Sequence, residues 1–168
     1  MFSKIKDKYP DWKVKIYGEI NFDKKYYKKC CQLISDYGME RQIKFYGKTN
    51  NIKEQLLDSS IFAFPSSFEG FPLALTEAMA IGLPVIGYAS CSGTNEVIKN
   101  GENGFLCDDG VEPFAKALDK LMSDRELRLR MGKRAKEDMK IYAPDKIWDQ
   151  WEELIEEVAI NDFRKNKD

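Results

Sequence analysis

The chain has 168 residues, with 27 Lys and Arg against 28 Asp and Glu, for a formal net charge of -1. That length suits one domain, or part of a longer chain, and removes roughly two thirds of the unfolded surface from water. The balanced charge makes no case for nucleic acid or an anionic membrane. With no histidine present, His-based triads, His-ligated metals and a histidine general base are excluded. Chemistry by this chain alone would fall to carboxylates. Cys30, Cys31, Cys91 and Cys107 form no CxxC pair and read as reduced thiols. No apolar run approaches the ~18 residues of a membrane span, and the charged opening "MFSKIKDKYP" is no secretory signal. A soluble, cytoplasmic domain is expected.

In chain order, "FSKIKDKYP" reads as the end of a helix that stops at Pro10. Lys13–Gly18 reads as a strand. Asp23 caps a helix whose stripe is Tyr27, Cys30, Cys31, Ile34 and Tyr37. Ile43–Gly47 repeats the strand-then-glycine pattern, and a short helix follows around Asn51–Ser59. Ile61–Ser66 and Pro84–Tyr88 are continuous apolar runs, as in strands covered on both faces. Pro72–Ile81 between them reads as a helix, with Pro72 in its first position and Gly82 past its end. "TNEVIKNG" is a short helix and Gly104–Cys107 a strand. Helices then follow: Val111–Met122, Asp124–Lys140, and one starting at Pro144 with Ile147, Trp148, Trp151, Leu154, Ile155 and Val158 at helical spacing. Alternating β and α units predict an α/β fold with a Rossmann-like, doubly wound parallel sheet flanked by helices, followed by C-terminal helices. Its ligand site should lie at the carboxyl ends of the strands, near a helix N-terminus. Such a fold starts with a strand before its first helix, so the first βα unit is expected to lie upstream, truncated from this chain. The expected division is residues 1–140 as a nucleotide-sugar-binding domain and residues 141–168 as a C-terminal helix crossing to another domain.

"SSFEGFPLALTEAMAIGLPVIG" (Ser66–Gly87) carries two carboxylates, Glu69 and Glu77. Glu77 is the one charge in "PLALTEAMAI", whose apolar residues point in almost every direction and predict burial on most sides. A buried carboxylate costs several kcal/mol unless something pairs with it. Helical geometry tilts Glu77 toward the helix start and the turn holding Glu69. Free N–H groups and the positive helix end there suit a phosphate. Together these parts match the diphosphate, ribose and sugar of a nucleoside diphosphate sugar. The same spacing also fits a structural glutamate bonded to a lysine or backbone donor.

The stretch "SSFEGFPLALTEAMAIGLPVI" resembles the E-x7-E signature of the family-4 (group 1) glycosyltransferases, retaining enzymes of GT-B fold. "YGEI", "IKFYGKTNNI", "GTNEVIKNGENGFL" and "PFAKALDKLMSDRELRLRMGKRAKEDM" resemble successive segments of that family's C-terminal, donor-binding domain. The resemblance implies that Glu69 lies beside the donor sugar and takes part in catalysis, and that Glu77 binds the ribose. It implies that the backbone of Gly70 and Phe71 reaches the sugar and that of Leu73 and Ala74 the diphosphate. Gly47, Lys48 and Thr49 would lie near the base, with Gly18 in a turn facing the cleft. It implies no metal and no cofactor, with a UDP-sugar favoured as donor. A sugar or lipid-linked acceptor would be held by a missing N-terminal domain, as part of capsular, exo- or lipopolysaccharide synthesis. The parent enzyme would work at the inner face of the plasma membrane if it associates peripherally. The family's basic Arg and Lys pair lies upstream of this chain, and "GEIN" departs from the family's glycine-rich turn. The fragment alone is therefore expected to be inactive. A non-catalytic nucleotide-sugar module, a GT-B epimerase, a dinucleotide enzyme and a ligand-free structural domain remain the alternatives; no GxGxxG supports the dinucleotide reading.

Three other features have blander readings. "CDDG" (Cys107–Gly110) is an acidic cap rather than a metal pair, and Arg125–Arg134 is a docked helix with a charged face rather than a lipid or nucleic-acid site. Trp148 and Trp151 belong to a packing stripe rather than a sugar platform; left uncovered, that stripe predicts poor solubility or dimerisation.

Overall fold

A computed structural model describes the backbone of residues 1–165 and the side chains of residues 1–160. Five strands alternate with helices: β1 Val14–Tyr17, α1 Lys24–Asp36, β2 Ile43–Gly47, α2 Ile52–Leu57, β3 Phe62–Phe64, α3 Leu73–Ile81, β4 Val85–Tyr88, α4 Thr94–Val97 and β5 Gly104–Cys107. Three further helices close the chain: α5 Val111–Ser123, α6 Arg125–Asp138 and α7 Pro144–Lys165. All described strand pairings are parallel. They form two sheets, β1–β2 and β3–β4–β5, rather than one continuous sheet. β4 is central and buried along its whole length, which explains its unbroken apolar sequence.

The expected helix end before Pro10 is absent. Phe2–Lys4 and Lys6–Lys8 are separate 3-10 turns, interrupted at Ile5, whose φ of -127° leaves the helical region. Phe2 packs with Met39 and Met122, with Ile5, Tyr9 and Trp12 around them. This small core joins the N-terminal segment to α1 and α5.

The larger core lies around the three-stranded sheet. Leu75, Ala78 and Met79 of α3 meet Val85, Val97, Ile98 and Ala135. On its other side Ile86, Tyr88 and Cys91 meet Phe114, Leu121 and Met131. Leu75, Met79, Phe114 and Leu121 are fully buried. Burying a side chain of this size contributes roughly 1.5–3 kcal/mol. Asp23 caps α1 by accepting from the Tyr26 amide at 2.8 Å, and Asp124 caps α6 through the Leu127 amide at 2.9 Å. α7 lies apart: Trp148 is 71% exposed and Ile155 62%.

Candidate functional site: the turn between β3 and α3

The chain leaves β3 at Phe64, passes through Pro65–Phe71, and enters α3 after Pro72. Pro72 occupies the N-cap, one position earlier than its preference for the first helical turn suggests. Gly82 ends α3 in the left-handed conformation at φ 98°. Among the described residues, the amides of Gly70, Phe71 and Ala74 meet no protein acceptor; the Leu73 amide donates to the Phe71 carbonyl at 3.0 Å. Three free donors therefore collect where the helix dipole is positive.

Glu77 lies one turn further along α3 and is exposed. The expected burial on most sides does not occur. Leu75, Thr76, Ala78 and Met79 face the core, while Leu73, Ala74, Glu77 and Ala80 form an open face. Leu73 is 67% exposed, so apolar composition was not a measure of burial here. Glu77 has no ion pair or hydrogen bond among the described residues, and the alternative of a lysine-paired structural glutamate finds no partner in them.

Glu69 is half-buried. Its carboxylate accepts from Ser66 Oγ at 2.6 Å, and its carbonyl accepts from Ser92 Oγ at 3.3 Å. Phe71 stacks edge-on against Tyr142 with centroids 5.3 Å apart, which fixes the last part of the turn. Ser66 and Ser92 carry no signal in a sequence reading, because their role depends on which atoms the tertiary fold brings to them.

The other expected residues lie at the carboxyl ends of β1 and β2. The Gly18 amide donates to the Gly47 carbonyl at 2.9 Å. Lys48 pairs with Glu19 at 3.0 Å. That Lys48 hydrogen bond, with the Asn21 amide, holds the Glu19 carboxyl below its ordinary pKa. Thr49 Oγ1 accepts the Asn51 amide at 3.1 Å and shapes the entry to α2. Tyr17 donates to Gln55 at 2.6 Å, tying β1 to α2, and α2 packs on α3. These contacts connect the Gly47–Thr49 loop to the helix that bears Glu77. An open cavity of about 470 Å³ lies elsewhere, between the N-terminal turns and α5; its Lys4–Glu112 and Lys8–Asp119 pairs neutralise one another. Among the described residues no acidic, cysteine or histidine cluster could hold a metal ion, and no helix is long and apolar enough to cross a membrane.

The sequence and fold are similar to those of known proteins. A glycosyltransferase of Haemophilus influenzae is 33% identical over 149 residues, covering 88% of this chain and 41% of that protein. The N-acetyl-alpha-D-glucosaminyl L-malate synthase of Bacillus anthracis is 36% identical over 133 residues, covering 78% of this chain and 35% of its own length. The C-terminal domain of the group 1 glycosyl transferase LpcC from Francisella tularensis superimposes with a TM-score of 0.75 at 30% identity, covering 87% of this chain and 76% of that one. Staphylococcus aureus TarM, crystallised with UDP, superimposes with a TM-score of 0.79 at 24% identity over 90% of this chain and 30% of its own. The chain spans less than half the length of the curated relatives it matches. The sequence model described as "Glycosyl transferases group 1" matches residues 1–138, which takes in every strand, the turn with Glu69 and the helix with Glu77. The chain belongs to the group 1 glycosyl transferases.

Proposed function

We propose that this chain is the donor-binding half of a retaining glycosyltransferase. The parent enzyme moves a sugar from a nucleoside diphosphate donor, a UDP-sugar for preference, to an acceptor hydroxyl in surface polysaccharide synthesis. The observation that carries this reading is the unpaired Glu77 on the open face of α3, one turn beyond the free amides of Gly70, Phe71 and Ala74. The carboxylate accepts from the two ribose hydroxyls, the Ala74 amide with the helix dipole receives the diphosphate, and the Gly70 and Phe71 amides reach the sugar. Leu73 contributes through the same helix start, though its own amide is engaged by Phe71. Gly47, Lys48, Thr49 and Gly18 border the base.

In the transfer step the anomeric carbon gains oxocarbenium character while negative charge grows on the departing diphosphate. Preorganised donors act where that charge develops. Glu69 faces the sugar and stabilises the cationic centre, with its carboxylate oriented by Ser66. The site as read needs neither metal nor organic cofactor. Basic side chains and the acceptor site come from chain outside these residues. The apolar stripe of α7 packs there, so α7 bridges the two halves of a soluble or peripherally bound enzyme; the last three residues of the expected 141–168 segment lie outside the described residues. Names of relatives such as the exopolysaccharide phosphotransferase of Streptomyces coelicolor, 33% identical over 160 residues, support the setting.

Calorimetry with UDP and other nucleoside diphosphates tests the site in this chain. Weak binding is expected, and Glu77→Ala should weaken it by about tenfold or more, the value of a charge-assisted hydrogen bond. Equal affinities would remove Glu77 from the site. Sustained release of nucleotide from a sugar donor by the full-length protein, and none by residues 1–168, separates a transferase half from a pure binding module.

A further inference from the structure

The turn that carries Glu69 is held from outside by the strap between β4 and α4. Cys91 and Thr94 anchor the strap: both are fully buried, and Thr94 Oγ1 donates to Cys91 Sγ at 3.3 Å. The Thr94 methyl occupies the space that a side chain at Gly87 of β4 would need. Asn95 closes the strap, donating from its amide to the Cys91 carbonyl at 3.0 Å and from its side chain to the Ala89 carbonyl at 2.9 Å. Between these anchors, Ser92 and Gly93 meet the functional turn. Ser92 Oγ donates to the Glu69 carbonyl. Gly93 has φ 71°, and a Cβ there would overlap the Gly70 carbonyl oxygen and come within 3.2 Å of the Glu69 carbonyl oxygen. The neighbours are backbone atoms, so no side chain can swing aside.

We propose that Gly93, with Ser92, is a positioning residue that sets where Glu69 and Gly70 stand relative to the donor sugar. This rests on the donor-site reading above. The strap fixes backbone position by direct apposition, and it does so from β4 rather than from α3. Displacing it moves Glu69 and Gly70 while leaving the helix of Glu77 in place. A shift of about 1 Å at a reacting centre can cost on the order of 100-fold in rate.

The experiment uses the full-length protein with Gly93→Ala and Gly101→Ala. Gly101 also has positive φ, 85°, but a Cβ there meets nothing within 4 Å. Both variants place alanine at positive φ; Gly93, at φ 71° and ψ -50° with the Thr94 amide donating to the Ser92 carbonyl at 2.7 Å, is the centre of a γ-turn and the more strained, and only Gly93→Ala presses on the turn of Glu69. Gly93→Ala should lose kcat by on the order of 100-fold, with UDP affinity held within about twofold, below the effect of losing one charged hydrogen bond. Gly101→Ala should lose less melting temperature and keep its kcat. Should Gly93→Ala fail to fold, Ser92→Ala removes the hydrogen bond alone and should lower kcat about fivefold, with Ser92→Thr restoring it. The proposal is overturned if kcat falls no further in Gly93→Ala than in Gly101→Ala, if the loss is wholly in donor KM, or, with Gly93→Ala unfolded, if Ser92→Ala turns over like wild type. A wild-type protein that turns over no sugar donor would instead overturn the functional reading on which this one rests.

Discussion

Asp138 shows how one carboxylate holds the end of α6 to the β5 region. Its side chain is 12% exposed. It accepts from Lys99 at 2.9 Å, from Asn103 at 2.9 Å and from Arg134 at 3.1 Å. Burial pushes its pKa up, but these three donors outweigh burial and hold it below the ordinary value. A depressed folded-state pKa gives stability that is fully present above the unfolded carboxylate value of about 3.9 and is lost as pH falls through the folded one. Asp138→Asn should cost about 1–3 kcal/mol at pH 7 and flatten the loss of stability below about pH 4; urea unfolding at the two ends of that window checks both. The lowered carboxyls of Asp58 and Glu112 belong to exposed pairs and should add little. Glu77 marks the limit of what single residues reveal in sequence. Its solitude among apolar neighbours was legible and drew attention to α3. Its exposure was not, because Leu73, Ala74 and Ala80 look like core residues until the fold leaves their face uncovered.

At the scale of elements, α3 is positioned by α6 as much as by the sheet. The two meet where Gly132 of α6 lies against the backbone of Gly82, just past the end of α3. A Cβ at Gly132 would overlap the Gly82 carbonyl oxygen and sit 3.5 Å from Pro84 Cδ. Helix propensity favours alanine at such a site by about 1 kcal/mol, but overpacking against a core costs about 1–3 kcal/mol. Backbone cannot yield as a side chain does, so the upper part of that range applies. Gly132→Ala should therefore lose a net of about 2 kcal/mol, read as a lowered urea midpoint at unchanged slope; a stabilised variant would show that this helix contact is not tight. The alternation of strands and helices was legible throughout, because apolar runs of four to six residues separated by glycine and proline leave few other folds. The break of the sheet into two parallel pieces was not. Strand patterns report burial, whereas pairing depends on which edges meet. The N-terminal 3-10 turns were misread for a related reason: Phe2 and Ile5 are drawn to Met39 and Met122, a contact no local pattern encodes.

Over the whole molecule, α7 is the element least accounted for by the chain's own packing. Trp148, Trp151, Ile155 and Val158 recur at three- and four-residue spacing, and each is more than half exposed. The spacing is that of a helix made to lie against another apolar surface. Its remaining face is acidic: between Pro144 and Ile160 stand Asp145, Asp149, Glu152, Glu153, Glu156 and Glu157 against Lys146. Two copies pairing through this stripe would bury the tryptophans but bring like charges together. At about 0.1 M salt the Debye length is ~10 Å, and at 1 M about 3 Å, so added salt removes the repulsion and leaves the apolar attraction. Residues 1–168 in isolation should therefore associate more strongly as salt is raised, the reverse of a contact made by ion pairs. Sedimentation across protein and salt concentration measures this. Trp148→Glu with Trp151→Glu should abolish the association without shifting the melting temperature, because neither side chain belongs to the described core. A wild-type chain that stays monodisperse at every salt concentration would show that the stripe is tolerated by water and has no need of a covering surface.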